Sequence, residues 1–320
     1  MASEQITDSL KTAGIEYVLT EYNGFCTYNG TENILAEIHE NNCDVIIGVG
    51  GGKIMDLSKL CGDIGKLPVI TVPTSMATCA AYTTLSVVYD ESGRTVGKYY
   101  IDNEVAAVFT DNKIMANQPL RLAASGIMDA LAKFIEIKNG HSEIQDDNFD
   151  IALMTAGTLA DFTYRKILQY REDACNSIKT KKYSDAVKNM GFLFIPVTGM
   201  ISGISKGFGQ SAIGHELYYQ LRTYFTKETL NYIHGEIVAI GLLAQLCYNG
   251  TEHLIDEFKQ IMQSMNMPVT LNEIGVKATD ENFELLYANM LKSPFVENTP
   301  ENEELFRKSL EIISPLSLLT

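Results

Sequence analysis

The sequence predicts two unlike halves, an α/β half followed by an all-α half. Three observations carry this. Up to about residue 116, short apolar runs alternate with segments of helical period, the signature of a parallel sheet flanked by helices. Beyond residue 117, strand-like runs become scarce and long helical patterns follow one another. Between one apolar run and the next helical pattern stands a cluster of glycines, a junction that lets something approach the backbone closely. The expected division is residues 1–116 and residues 117–320.

The elements follow in order. SEQITDSLKTAG reads as a helix ending at Gly14, and IEYVLTEY as a strand. ENILAEIHENN is a helix with Ile34, Leu35 and Ile38 at helical spacing. DVIIGVG is a continuous apolar strand, expected to be buried on both faces. MDLSKLCGDIG is a helix and LPVITVPT a strand. LSVVYDESGRTVGKYY reads as a hairpin turning at Glu91-Ser92-Gly93, and AAVFTDN as a further strand. In the second half, PLRLAASGIMDALAKFIEIKNG and NFDIALMTAGTLADFTYRKILQY are helices. GEIVAIGLLAQLCY is apolar nearly all round, which predicts a buried helix. A doubly wound domain opens on a strand. This sequence opens on a helix, so that first strand is expected to be absent.

Composition narrows the function classes. The 320 residues carry 25 Lys+Arg against 40 Asp+Glu, a net charge of −15. There is no basic run, so a nucleic-acid partner is not expected. No 18-residue uncharged apolar stretch and no leader-like start occur, so neither a membrane span nor export is expected. The six cysteines (26, 43, 61, 79, 175 and 247) lack CxxC spacing and read as reduced thiols of a cytoplasmic protein.

The glycine cluster is Gly48-x-Gly50-Gly51-Gly52-Lys53 between a strand and a helix. Glycines admit a diphosphate to the backbone, and the helix start offers unpaired N–H groups and the positive end of its dipole. Ile54 follows the lysine where a Walker A loop needs Ser or Thr, and the GxGxxG spacing is absent. A tight strand–helix turn would also use these glycines. The next strand ends in Pro73-Thr74-Ser75-Met76-Ala77-Thr78-Cys79, small hydroxyl residues at the strand end where open α/β sheets place ligands.

Five histidines are present. His39, His141 and His253 stand in polar surroundings and read as solvated. His215 in GHELYYQL and His234 in NYIHGEIVAIG flank apolar segments, and Asp129 stands among small and apolar residues in SGIMDALAKF. A carboxylate there needs a partner or a metal. One carboxylate and two imidazoles make a three-donor set with an open fourth position; hydrogen-bonded core groups are the other reading. His215-Glu216-x-x-Tyr219 fails as a metalloprotease HExxH because Tyr219 replaces the second histidine.

Taken together, GVGGGKIMD, VPTSMATCAAYTTLSVVY, SGIMDALAKF, GH and IHGE resemble the glycerol dehydrogenase type of the iron-containing alcohol dehydrogenase and dehydroquinate synthase-like family. The resemblance runs through five motifs in order over nearly the whole chain. It implies an N-terminal Rossmann-like dinucleotide-binding domain, an all-α metal- and substrate-binding domain, and a cleft between them holding NAD (or NADP) and a divalent metal. It assigns Gly51, Gly52, Lys53 and Asp56 to the cofactor diphosphate and the neighbouring sugar. Thr74, Thr78, Thr83, Leu85 and Tyr89 are assigned to the adenine and nicotinamide path. Asp129, His215 and His234 are assigned to the metal, with Cys79 and Asp129 on the substrate. Lys133 stands where four-ligand relatives carry a histidine, which fits zinc better than iron. The family's first strand, with its acidic contact to the ribose, is expected to be absent. A homo-oligomer is also implied.

Glycerol dehydrogenases carry an aspartate where this sequence has Cys79, and ATCAAYTTLSVVY looks more like relatives that reduce 2-oxo acids. A small polyol, a ketone or a 2-oxo acid is therefore expected as substrate, with the metal acting as Lewis acid and hydride passing to nicotinamide. A dehydroquinate synthase-type lyase or a glycerol-1-phosphate dehydrogenase would need basic residues for a phosphate monoester. Lys133, Lys138 and Lys206 are the candidates. A relative that keeps the metal site without cofactor binding is the non-enzymatic alternative.

Overall fold

The computed structural model describes residues 2–141, 143–144, 150–205 and 211–314. Helices α1 (Ala2–Thr12) and α2 (Tyr28–Glu40) precede strand β1 (Ile46–Gly50), helix α3 (Gly52–Gly65) and strand β2 (Val69–Pro73). A hairpin follows, β3 (Leu85–Tyr89) and β4 (Thr95–Tyr100), then the short strand β5 (Ala107–Val108). Everything described after Val108 is helix or loop: α4 (Asn112–Asn117), α5 (Leu120–Glu136), α6 (Ile151–Lys179), α7 (Asp185–Phe192) and α8 (Thr198–Ser205). The chain continues through α9 (Ile213–Tyr224), α10 (Thr226–Thr229), α11 (His234–Tyr248), α12 (Ile255–Ser264), α13 (Asp280–Met290) and α14 (Pro300–Glu311).

The sheet is parallel, in the order β1-β2-β5, with Gly48 opposite Thr71 and Thr71 opposite Val108. Parallel strands joined through a helix bring their C-terminal ends to one edge. The glycine cluster and the segment after Pro73 therefore lie side by side, and the Thr74 amide donates to Gly50 O at 2.9 Å. The β3–β4 hairpin turns at Glu91–Gly93 as expected; Gly93 adopts φ +85°, and Asp90 Oδ1 accepts from the Ser92 and Arg94 amides.

Two expectations fail and a third holds only in part for one reason: a strand needs a partner, which local sequence does not supply. IEYVLTEY pairs with nothing among the described residues, and Ile15, Val18 and Leu19 are exposed. AAVFTDN pairs only through Ala107–Val108. Strand β1 is paired on one side only among the described residues, and Gly48 alone is fully buried, so it is not sealed on both faces.

The main core lies among the helices. Helix α11 is its axis, buried all round after His234 and packed against α5, α9 and α14. The run Asp185–Ser205, which includes a π-helical turn at Leu193–Val197, is long and apolar enough to cross a membrane, unlike the sequence expectation. Most of its apolar length is buried, and α7 and α8 both pack on α6.

Candidate active site

Asp129, His215 and His234 come from three helices, and close packing brings them together. Gly126 on α5 crosses the segment after β2 so tightly that a Cβ would lie 1.9 Å from Met76 O. Gly235 at the start of α11 abuts α5: its Cβ would lie 2.2 Å from Ser125 O, and its amide donates to Ser125 Oγ at 3.0 Å. Arg121 Nε and Nη2 donate to the two oxygens of Glu236, both at 2.6 Å, clamping the first turns of α5 and α11. The Ile213 amide donates to Gln245 Oε1 at 2.7 Å, which fixes α9 on α11.

Asp129 Oδ1 then lies 3.3 Å from His215 Nε2 and 3.4 Å from His234 Nε2. One donor atom from each residue falls within 4.8 Å of the others. Burial pushes the Asp129 carboxyl up, but Lys133 and the two imidazoles hold it well below the usual carboxylate range. Burial lowers His234, outweighing Asp129, which favours the neutral imidazole. Burial would also lower His215, but Glu136 and Asp129 together outweigh it and the ring is raised. These are a carboxylate and two imidazoles facing one point, a donor set that fits a divalent metal.

Glu136 escaped the sequence reading. Buried on α5, it accepts from His215 Nδ1 and, through Oε1, from the amides of Ala212 at 2.9 Å and His215 at 2.8 Å. It leaves Nε2 as the lone-pair nitrogen toward Asp129, the carboxylate–histidine support that metal sites use. Its signal was present: Asp129, Lys133 and Glu136 recur at i, i+4 and i+7 on one face of an apolar helix. Tyr218 was missed too. Its ring meets His234 edge-on at 4.4 Å, and its hydroxyl hydrogen-bonds Tyr89 at 2.7 Å, joining α9 to β3.

The trio opens into a cleft of about 250 Å³ at the C-terminal edge of the sheet. Gly52, Lys53, Asp56, Thr78, Thr83, Leu85 and Tyr89 line it, as do Cys79, Asp129, His215 and His234. Gly51 and Thr74 do not line it; they support the loops behind. No side chain caps the start of α3 at Gly51. A Cβ on Gly52 would come within 3.2 Å of Thr78 Oγ1, so glycine keeps this approach to the helix start open. Both features fit a diphosphate. Asp56 spends its carboxylate on fold as well: Oδ1 lies 3.2 Å from Lys59 Nζ, and Oδ2 accepts from the Val87 amide. Lys59, fully buried, also donates to Thr83 O and Leu85 O, anchoring the cleft wall to α3. Burial pushes the Cys79 thiol up to about 12, so it stays neutral.

His39, His141 and His253 are exposed, as expected. Of the basic candidates for a phosphate monoester, Lys133 lines the cleft, Lys138 stacks on Phe134 away from it, and Lys206 lies outside the described residues.

The iron-containing alcohol dehydrogenase family model matches residues 1–110. The glycerol dehydrogenase of Citrobacter freundii is 30% identical over 281 residues, covering 87% of this chain and 75% of that protein. The chain is a glycerol dehydrogenase-type member of the iron-containing alcohol dehydrogenase family. The chain is also similar to hydroxycarboxylate dehydrogenase A of Escherichia coli, 27% identical over 282 residues, with 88% of this chain and 75% of that one covered. Among solved structures, Schizosaccharomyces pombe glycerol dehydrogenase superposes with a TM-score of 0.80 at 22% identity, covering 98% of this chain and 79% of that one. Sulfoacetaldehyde reductase of Bifidobacterium kashiwanohense, solved with NAD+, gives 0.71 at 16% identity, with 97% and 89% covered. The fold is thus that of the family, an α/β domain followed by a helical domain.

Proposed function

We propose that this chain is a metal-dependent dehydrogenase that moves a hydride between a small alcohol or polyol and a nicotinamide dinucleotide, NAD or NADP. The observation that carries the reading is the buried Asp129–His215–His234 trio, braced by Glu136 and open to a cleft that ends at an uncapped, glycine-walled helix start. A divalent metal held by the trio supplies a Lewis acid for the substrate oxygen, and a dinucleotide in the cleft supplies the hydride acceptor. Zinc is favoured over iron by a donor set of two imidazoles and one carboxylate; metal analysis of the purified protein decides it.

The chain's own residues do the positioning. Glu136 holds His215 in the tautomer that turns Nε2 inward. Tyr218 restrains the His234 ring and, through Tyr89, ties the metal side of the cleft to the cofactor side. The α3 start offers backbone N–H groups to phosphate oxygens. Cys79, neutral in the cleft wall, sets no negative charge against an anionic substrate, so 2-oxo acids stay within the proposed range. The six thiols are all free, which supports a reducing, cytoplasmic setting.

NADH oxidation by metal-loaded protein, with dihydroxyacetone and 2-oxobutyrate side by side, tests the reading. Metal-dependent turnover with preference for dihydroxyacetone is expected. Preference for 2-oxobutyrate would move the substrate to hydroxycarboxylates. NADH binding without turnover on any carbonyl substrate would overturn the dehydrogenase reading.

A further inference from the structure

Arg222, near the end of α9, lines the cleft between the glycine loop and the trio. Only 6% of it is exposed. Its Nη2 donates to Tyr232 O at 2.6 Å, and its guanidinium carbon lies 5.6 Å from the Tyr218 ring centre. Its Nε and Nη1 are buried and have no hydrogen-bond partner among the described residues. Arg121, Arg165, Arg171 and Arg307 each meet a carboxylate; Arg222 meets none among the described residues. A guanidinium cannot shed its proton, and a buried charge without a partner is strongly disfavoured. Partial burial and then Arg222 lower the Lys53 amine, so two positive groups bear on the same space. Lys53 itself stacks on Phe25, 3.8 Å from the ring centre.

We propose that Arg222 is an anion seat of this cleft, its counter-charge arriving with the ligand as one oxyanion on the guanidinium. The proposal relies on the dehydrogenase reading only for which ligand brings that oxyanion. Two sources share the chemistry. The cleft wall it shares with Gly52 and Lys53 suits a phosphate of the dinucleotide. Contact with Tyr218, which packs on His234, suits the carboxylate of a 2-oxo or 2-hydroxy acid. A neutral polyol would leave the seat idle.

The test uses the full chain and three probes: inorganic pyrophosphate by calorimetry, NADH by fluorescence titration, and 2-oxobutyrate against dihydroxyacetone by KM. Arg222→Gln is compared with wild type and with Arg165→Gln, an exposed arginine on α6. Tenfold or greater weakening of pyrophosphate and NADH, with both KM values kept, supports the seat and assigns it to a cofactor phosphate. Tenfold or greater weakening of 2-oxobutyrate alone supports it and assigns it to a substrate carboxylate. A folded Arg222→Gln that handles all three probes like wild type overturns it. If that variant does not fold, Arg222→Lys decides: it keeps the charge but loses the fork, and wild-type binding of all three probes would overturn the seat equally. Wild type that binds pyrophosphate through Arg222 but shows no turnover would sink the dehydrogenase reading and leave the seat standing.

Discussion

The two ends of the cleft are built by opposite means. At the sheet end, backbone does the work: a strand, a run of glycines and a helix start, all within residues 46–56, with side chains mostly holding the walls. At the helical end, side chains do it: three donors from α5, α9 and α11, fixed by Glu136, Arg121, Ser125 and Gln245. The first end tolerates change wherever the approach stays open. The second depends on many distant contacts, and the loss of any one moves a donor. Separable damage is the consequence, and each substitution below sharpens or breaks that contrast.

Asp129→Ala has the largest expected effect. It removes the carboxylate donor from a site worth several kcal/mol of charge stabilisation, so turnover should fall by roughly a thousandfold. NADH affinity, followed by fluorescence, should stay within about twofold because the glycine end is untouched. Parallel loss of NADH binding would break the contrast. Glu136→Gln comes next: the His215 brace weakens, and metal affinity in a chelator competition should drop about 10- to 100-fold. Unchanged metal affinity would make Glu136 a matter of packing alone.

Gly52→Val reverses the pattern. Its added carbons fill the approach beside Thr78, so NADH should bind about tenfold more weakly, roughly 1.4 kcal/mol, while metal affinity holds. Tyr89→Phe is the smallest. Removing the hydroxyl that bonds Tyr218 should cost about 1 kcal/mol of stability, seen as a small drop in Tm. A drop in activity far beyond that would assign the tyrosine pair more than a linking role.

Much of the glycine end was legible beforehand because its chemistry is local. Strand period, glycine run and helix period lie in one continuous stretch that stood out as a ligand-side turn, and the family resemblance then assigned Gly52, Lys53 and Thr78, which line the cleft. The ligand trio was nameable by residue type and motif, but its brace was not. Glu136 supports the trio only because α9 comes to rest on it. Arg222 likewise is buried by packing rather than by any local pattern. The failed strand at 15–22 and the strand cut short after Val108 make the same point from the other side, since apolar alternation states a preference and a partner decides it.

By itself the sequence determined the α/β-then-helical order, the glycine-rich strand–helix turn, the buried helix α11 and the residue types available for chemistry, because period and turn chemistry act over a few neighbouring residues. The tertiary structure alone decided which side chains meet. That needed α5, α9 and α11 to approach through Gly126 and Gly235, put Glu136 behind His215, and left two donors of Arg222, a residue of the cleft wall, buried with no partner among the described residues. Such contacts join residues far apart in the chain, and packing sets them where no local pattern can.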